Sequence, residues 1–212
     1  KRVLRLREPE MPALTVGTAV HAGIAAYLEH KDEGKAYAAL EGSMRRSLLP
    51  RNAAFDRISE HARESLASYI QHREEPDTLL APSAIEKTYE TTRSIDGCTV
   101  KLKGQIDALF ETASGTCIAD FKTTSEIKAV DEKYVRQLAF YDLLVRENGA
   151  NPTQAAIVQV GPDGVKNHEV PLTVESRAEL ASILDEVLNE LLSGKWREGI
   201  ASEYDDLLKL FI

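Results

Sequence analysis

Asp107, Asp120 and Lys122 lie in one short stretch, Lys101 to Lys122, which reads KLKGQIDALFETASGTCIADFK. Val100, Leu102, Ile106, Ala108 and Phe110 take alternate positions with Lys101, Lys103, Gln105 and Asp107, which predicts a strand with one face on a core and a polar opposite face. Cys117, Ala119 and Phe121 alternate in the same way with Thr116, Ile118, Asp120 and Lys122, so Asp120 and Lys122 share one side of a second strand. A turn over Thr112 to Gly115 pairs Glu111 with Thr116, and counting back along both strands sets Asp107 opposite Asp120. A one-residue slip in that turn would part them. Like charges opposed across two strands are destabilising unless a cation sits between them. The chemistry this pattern calls for is a divalent ion, and magnesium, which favours oxygen ligands and keeps waters, is the expectation.

The hairpin must be held by what precedes and follows it. Thr15 to His30 (TVGTAVHAGIAAYLEH) has apolar residues at helical spacing, with Thr15 or Thr18 as N-cap. Val20, Ile24 and Leu28 form its buried stripe, and His21 lies beside it. Residues 33–48 and 52–74 read as two further amphipathic helices, separated at Pro50 and ended before Pro76. After Leu80 the pattern becomes β: Ala84 to Arg93, Thr99 to Phe110 across an Asp96-Gly97 turn, and Thr116 to Thr123, a three-stranded meander. Asp131 to Glu147 returns to helical spacing, with Val135, Leu138, Ala139, Asp142 and Leu143 on one face and a stop at Asn148-Gly149. Ala155 to Val160 and Val165 to Val170 pair around Pro162-Asp163-Gly164, and Val174 to Leu192 is a last helix stopped by Gly194. The expectation is a single α/β domain over 1–212, a mixed sheet flanked by helices. Its helical part covers about 15–75, its α/β core about 80–194, and a tail 195–212 carries Trp196 as a packing anchor.

Composition is that of an ordinary globular chain, 43% hydrophobic over 212 residues. No apolar run is long enough to cross a bilayer and no secretory leader pattern opens the sequence, so a cytoplasmic location without membrane attachment is expected. Cys98 and Cys117 are the two cysteines, which supports neither a disulfide framework nor a cysteine-ligated cluster. A net charge of -8 argues against nucleic-acid binding through bulk positive potential. An acidic site built to gather divalent ions would itself contribute to that charge. Residues 1–75 hold 12 Lys/Arg against 11 Asp/Glu, and the remainder 14 against 23. A backbone-tracking surface is therefore expected in the N-terminal part, with Arg45, Arg46, Arg51 and Arg57 as candidates. The chain opens on KRVLRLR without methionine and closes on DDLLKLFI, and a fragment of a longer polypeptide is the expectation.

Gly17-x-x-x-His21, Gly104-x-x-Asp107, Asp120-x-Lys122 and Gln137-x-x-x-Tyr141 follow one another along the chain. In that order, over residues 15 to 145, they resemble the RecB-like branch of the PD-(D/E)XK nuclease superfamily, which includes the nuclease domains of bacterial helicase-nuclease machines and CRISPR-associated exonucleases. The resemblance implies a restriction-endonuclease-like core and metal-dependent hydrolysis of DNA phosphodiesters. That reaction needs a nucleophile at neutral pH, neutralisation of charge on the phosphate and help for the departing oxygen. The resemblance implies catalytic roles for Asp107, Asp120 and Lys122, with Asp107, Asp120, the Phe121 carbonyl and His21 as metal ligands. An imidazole in the set makes manganese an alternative to magnesium. Lys122 would hold or polarise the attacking water. Gln137 and Tyr141, four apart on one helical face, would contact substrate, Gln137 at phosphate and Tyr141 at phosphate or a base. Related nucleases often carry a glutamate on the strand before Asp107. Glu86 and Glu90 both fall there, the register is not fixed by the pattern, and neither is counted in the site.

The function expected is a Mg2+- or Mn2+-dependent deoxyribonuclease, an exonuclease module of DNA recombination or repair, with DNA as substrate and a helicase partner or fused helicase domain. Two alternatives compete with it: a catalytically inactive nuclease-like domain that grips DNA or a partner, and a CRISPR-associated RecB-like exonuclease. Many of the latter hold an iron-sulfur cluster on four cysteines, and with two cysteines none is expected in this chain.

Overall fold

The helices begin and end where local chemistry dictates. In the computed structural model, which describes residues 11–73, 81–95, 98–112 and 115–193, α1 (Pro12–His30) starts on a proline whose missing N–H costs nothing in a first turn. The expected threonine cap is therefore displaced. Thr15 and Thr18 lie inside the helix and their hydroxyls donate back to the carbonyls of Met11 and Leu14. Lys31, left-handed at φ 50, ends α1, and Asp32 at once caps α2 (Glu33–Arg46) by accepting from the Lys35 N–H at 2.9 Å. Asn52 opens α3 (Ala53–Arg73) by accepting from the N–H groups of Ala54 and Phe55.

Five strands follow the helices or alternate with them: β1 (Pro82–Ile95), β2 (Cys98–Thr112), β3 (Gly115–Thr123), β4 (Pro152–Gly161) and β5 (Gly164–Val170), with α4 (Glu132–Glu147) between β3 and β4 and α5 (Val174–Ser193) last. They form one mixed sheet in the order β1-β2-β3-β4-β5. β1, β2 and β3 make the antiparallel meander expected from the alternation. The passage from β3 to β4 through α4 is a crossover of the α/β kind. The Asp96-Gly97 turn, the Gly194 stop and the Trp196 anchor lie outside the described residues.

Two compact units emerge from the packing. One takes α1, α2 and α3 together with Phe121–Lys128 and Val158–Lys166. Its core includes the expected stripe, Val20, Ile24 and Leu28, with Leu40, Leu66 and Tyr69, all buried. At Gly23 a Cβ would come within 2.7 Å of Leu66, so glycine lets α1 and α3 approach closely. Arg51, one of the candidates for a backbone-tracking surface, also serves the chain itself. Its guanidinium donates to the carbonyls of Met44, Arg45 and Ser47 at the end of α2 and stacks 3.9 Å from the Phe55 ring centre.

The second unit takes β1, β2, β3 as far as Asp120, Ala129–Ile157 and the described residues from Asn167 onward. Its core is the apolar face of the meander, Leu102, Ile106 and Ile118, covered by Leu138, Phe140, Tyr141 and Leu144 of α4 and by Leu180, Leu184 and Leu188 of α5. Gly104 governs how α4 sits. A Cβ there would meet Leu144 Cδ1 at 2.8 Å and Tyr141 Cε1 at 3.1 Å, so the bare backbone of β2 is what admits the helix. Asp142, also on α4 and fully buried, receives two hydrogen bonds from Arg177 (2.9 and 3.2 Å) and one from Arg146 (3.1 Å). Two guanidiniums thereby compensate one carboxylate, as burial of a charge requires.

Candidate metal centre

β2 and β3 pair in the expected register, from Thr112↔Gly115 and Glu111↔Thr116 to Ala108↔Ala119. The residues next beyond that last pair are Asp107 and Asp120. Along the other edge of β2, Ile85 pairs with Ala108 and Lys87 with Ile106. Glu86 is the residue between Ile85 and Lys87, as Asp107 is between Ile106 and Ala108. Asp107 is thus the middle of three carboxylates on three adjacent strands. One oxygen of Glu86 and one of Asp107 lie within 4.8 Å of each other. At that separation two full charges repel by roughly 3 kcal/mol at an effective dielectric of about 20.

The sequence names Glu86 and Glu90 together without choosing between them, because the pattern does not fix the register, and the backbone of Glu86 adds to the difficulty. Its φ of 47 is left-handed, a conformation that non-glycine residues seldom adopt in a strand. Strict alternation cannot reveal which residue of a strand leaves extended geometry. Glu90, its rival in the sequence, is exposed and pairs with Lys101 at 2.7 Å.

Asp120 is 1% exposed, and a carboxylate so deeply buried demands compensating charge or hydrogen bonds. On α4, the Tyr141 hydroxyl accepts a 2.8 Å hydrogen bond from Gln137 Nε2. Burial, then the negative charges of Asp120, Asp107 and Glu86, push the Tyr141 phenol well above its ordinary range, while the Gln137 hydrogen bond pulls it down. Carboxylates from β1, β2 and β3 therefore all act on one phenol. The Tyr141 ring is 4% exposed, so the hydroxyl is the part of this side chain placed for polar chemistry. The second unit thus assembles Asp107, Asp120, Gln137 and Tyr141 of the expected set and adds Glu86.

His21, Phe121 and Lys122 belong to the first unit. The His21 ring meets that of Phe121 edge-on at 6.2 Å, and Tyr69 meets the same ring at 5.4 Å. Two aromatic neighbours hold Phe121, the residue that directly follows Asp120. Lys122 is half-buried two residues beyond Asp120.

The donor set suits a hard divalent cation. The carboxylates of Glu86 and Asp107 repel one another at this spacing, and an ion with oxygen ligands removes that repulsion. Asp107, Asp120 and Glu86 would hold it. Among the described residues no helix is long and apolar enough to cross a membrane.

Comparison with known proteins agrees with this geometry. Residues 1–203 match the family model of the PD-(D/E)XK nuclease superfamily. No curated protein matches the chain. Among solved structures, one named as a candidate exonuclease from Eubacterium rectale is 15% identical, with 92% of this chain and 73% of that one covered and a TM-score of 0.54, a likeness of fold. The structure of SSO0001 is 14% identical, with 88% and 80% covered and a TM-score of 0.43. With a family match over nearly its whole length and acidic side chains gathered on the central strands, the chain belongs to the PD-(D/E)XK nuclease superfamily, whose members cleave nucleic acid with divalent metal.

Proposed function

We propose that this chain is a magnesium- or manganese-dependent deoxyribonuclease of the RecB-like branch, an exonuclease serving DNA recombination or repair in the cytoplasm beside a helicase partner or fused helicase domain. The observation that carries the reading is the placement of Asp107 between Glu86 on β1 and Asp120 on β3, with an oxygen of Glu86 and one of Asp107 within 4.8 Å of each other. The Eubacterium rectale neighbour, named for exonuclease activity, is in keeping with it.

In this reading Asp107, Asp120 and the Phe121 carbonyl bind the ion, with Glu86 from β1 and His21 from α1 as further ligands. A bound divalent ion neutralises charge on the phosphate and supplies a water of lowered pKa. Lys122, on the side of β3 shared with Asp120, orients the attacking water and offsets the charge that builds on the phosphate. Tyr141 stays protonated at neutral pH because burial and the carboxylates disfavour its anion. With its oxygen already accepting from Gln137, its own proton is available to a phosphate oxygen. Gln137 contacts substrate at a phosphate.

Digestion of linear, circular and single-stranded DNA with each divalent metal tests the proposal. Linear and single-stranded DNA should be degraded from their ends with Mg2+ or Mn2+, circles should persist, and Asp120→Ala should abolish cleavage. Undiminished cleavage by Asp120→Ala would sink the proposal, and rapid opening of circles would remove its exonuclease part.

A further inference from the structure

We infer that Gln105 is a positioning residue that holds Glu86 in the metal site, an inference that rests on the divalent-ion reading given above. Gln105 precedes Asp107 by two residues on β2. Its direct partner on β1 is Thr88, two residues beyond Glu86. A diagonal neighbour of this kind is within reach of a long side chain. The Gln105 amide makes that reach, and its Nε2 donates a hydrogen bond to Glu86 Oε2.

The backbone of Glu86 supplies an independent reason to expect a clamp. A left-handed φ of 47 in a non-glycine strand residue costs about 1–3 kcal/mol and persists where the surroundings hold it, most often at ligand sites. Left-handed geometry turns the side chain away from the direction that regular alternation would give it, and the Gln105 amide fixes where the carboxylate then lies. One Glu86 oxygen is engaged by the amide. The carboxylate, held in this way, offers an oxygen within 4.8 Å of Asp107. An amide suits the task better than a lysine or arginine, because it donates a hydrogen bond without adding a positive charge that would compete with the incoming ion.

Outer partners of metal ligands typically change affinity by about 10- to 100-fold when removed. Gln105→Leu, similar in size and unable to donate, should therefore weaken binding of Mn2+ alone by about 10-fold in calorimetry without DNA. The discriminating measurement is a double-mutant cycle with Glu86→Gln. In the Glu86→Gln background, Gln105→Leu should bring no further loss, because the residue acts through that carboxylate. Gln105→Thr, a good strand residue too short to reach, should repeat the result and guards against a folding defect of the leucine variant. Unchanged Mn2+ affinity in both variants, or equal losses with and without the Glu86 carboxylate, overturns the inference while leaving the metal site standing. A wild-type protein that binds no Mn2+ overturns both.

Discussion

Gly104→Ala joins packing to chemistry in one substitution. No positive φ is needed at Gly104, so alanine fits the backbone and gains about 0.4–1 kcal/mol by restricting the unfolded chain. Against this, the new methyl would lie 2.8 Å from Leu144 Cδ1, 3.1 Å from Tyr141 Cε1 and 3.4 Å from Phe140 Cε1. Leu144 can turn its end aside, but the two rings belong to a packed helix face, and overpacking of this kind costs about 1–3 kcal/mol. The net expectation is a loss of about 0.5–2 kcal/mol, or about 1–8 °C in Tm for a domain of this size. Activity should fall further than stability does. At 25 °C the variant remains folded, yet any lift of α4 moves the Tyr141 hydroxyl and Gln137, and displacement by about 1 Å can cost about 100-fold in rate. Gly17→Ala is the matched control. Its methyl meets nothing within 4 Å, and alanine is better than glycine in a helix by about 0.8–1 kcal/mol. Melting curves and nuclease rates should therefore diverge, with Tm raised at position 17, and Tm and rate both lowered at position 104. A Gly104→Ala protein with higher Tm and full activity would refute the claim that this close approach sets the site.

Other perturbations probe other parts of the structure. Burial, chiefly, and then the charge of Glu169 raise the Cys117 thiol from 9.0 to about 11. The unfolded chain loses that proton first, so the contribution is complete below pH 9 and is lost as pH climbs towards 11. Urea titrations across this window should show stability falling with pH, and Cys117→Ala should flatten the slope. Arg177→Ala removes two of the three hydrogen bonds that Arg177 and Arg146 give the buried Asp142 carboxylate. A loss of about 3 kcal/mol is expected, seen as a Tm drop of about 6–12 °C. An unchanged Tm would mean that Arg146 alone satisfies the charge. Tyr141→Phe keeps the ring that packs on Gly104 and deletes the hydroxyl, so it should melt within about 3 °C of wild type while its turnover falls by about 10-fold or more.

What the sequence discloses and what it hides divide along physical lines. Alternation of apolar and polar residues is a local signal, and it placed the hairpin in its observed register as far as Ala108↔Ala119, the pair next to Asp107 and Asp120. Helical spacing of four put Gln137 and Tyr141 together, and they hydrogen-bond to each other. Glu86 could be named but not preferred to Glu90, because the pattern does not fix the register of that strand and one irregular backbone angle leaves no mark on it. Asp142 took its place on the inward face of α4 by periodicity, but the Arg177 that compensates it lies 35 residues away, and spacing says nothing about such partners. Arg51 shows another limit of the sequence: an arginine among arginines suggests a binding surface, and nothing in the pattern tells that this one serves the carbonyls that α2 leaves open at its end. The capping threonines gave way to Pro12, whose ring starts the helix before either is reached.

The central claim is that the carboxylates of the meander hold the ion that cleaves DNA. Anomalous diffraction from crystals soaked in Mn2+ tests it most directly. A peak about 2.0–2.2 Å from carboxylate oxygens of both Asp107 and Asp120, absent from Asp120→Ala crystals, is the result predicted. A protein that degrades DNA with Mn2+ but shows its ion elsewhere, or bound equally well without Asp120, would contradict it.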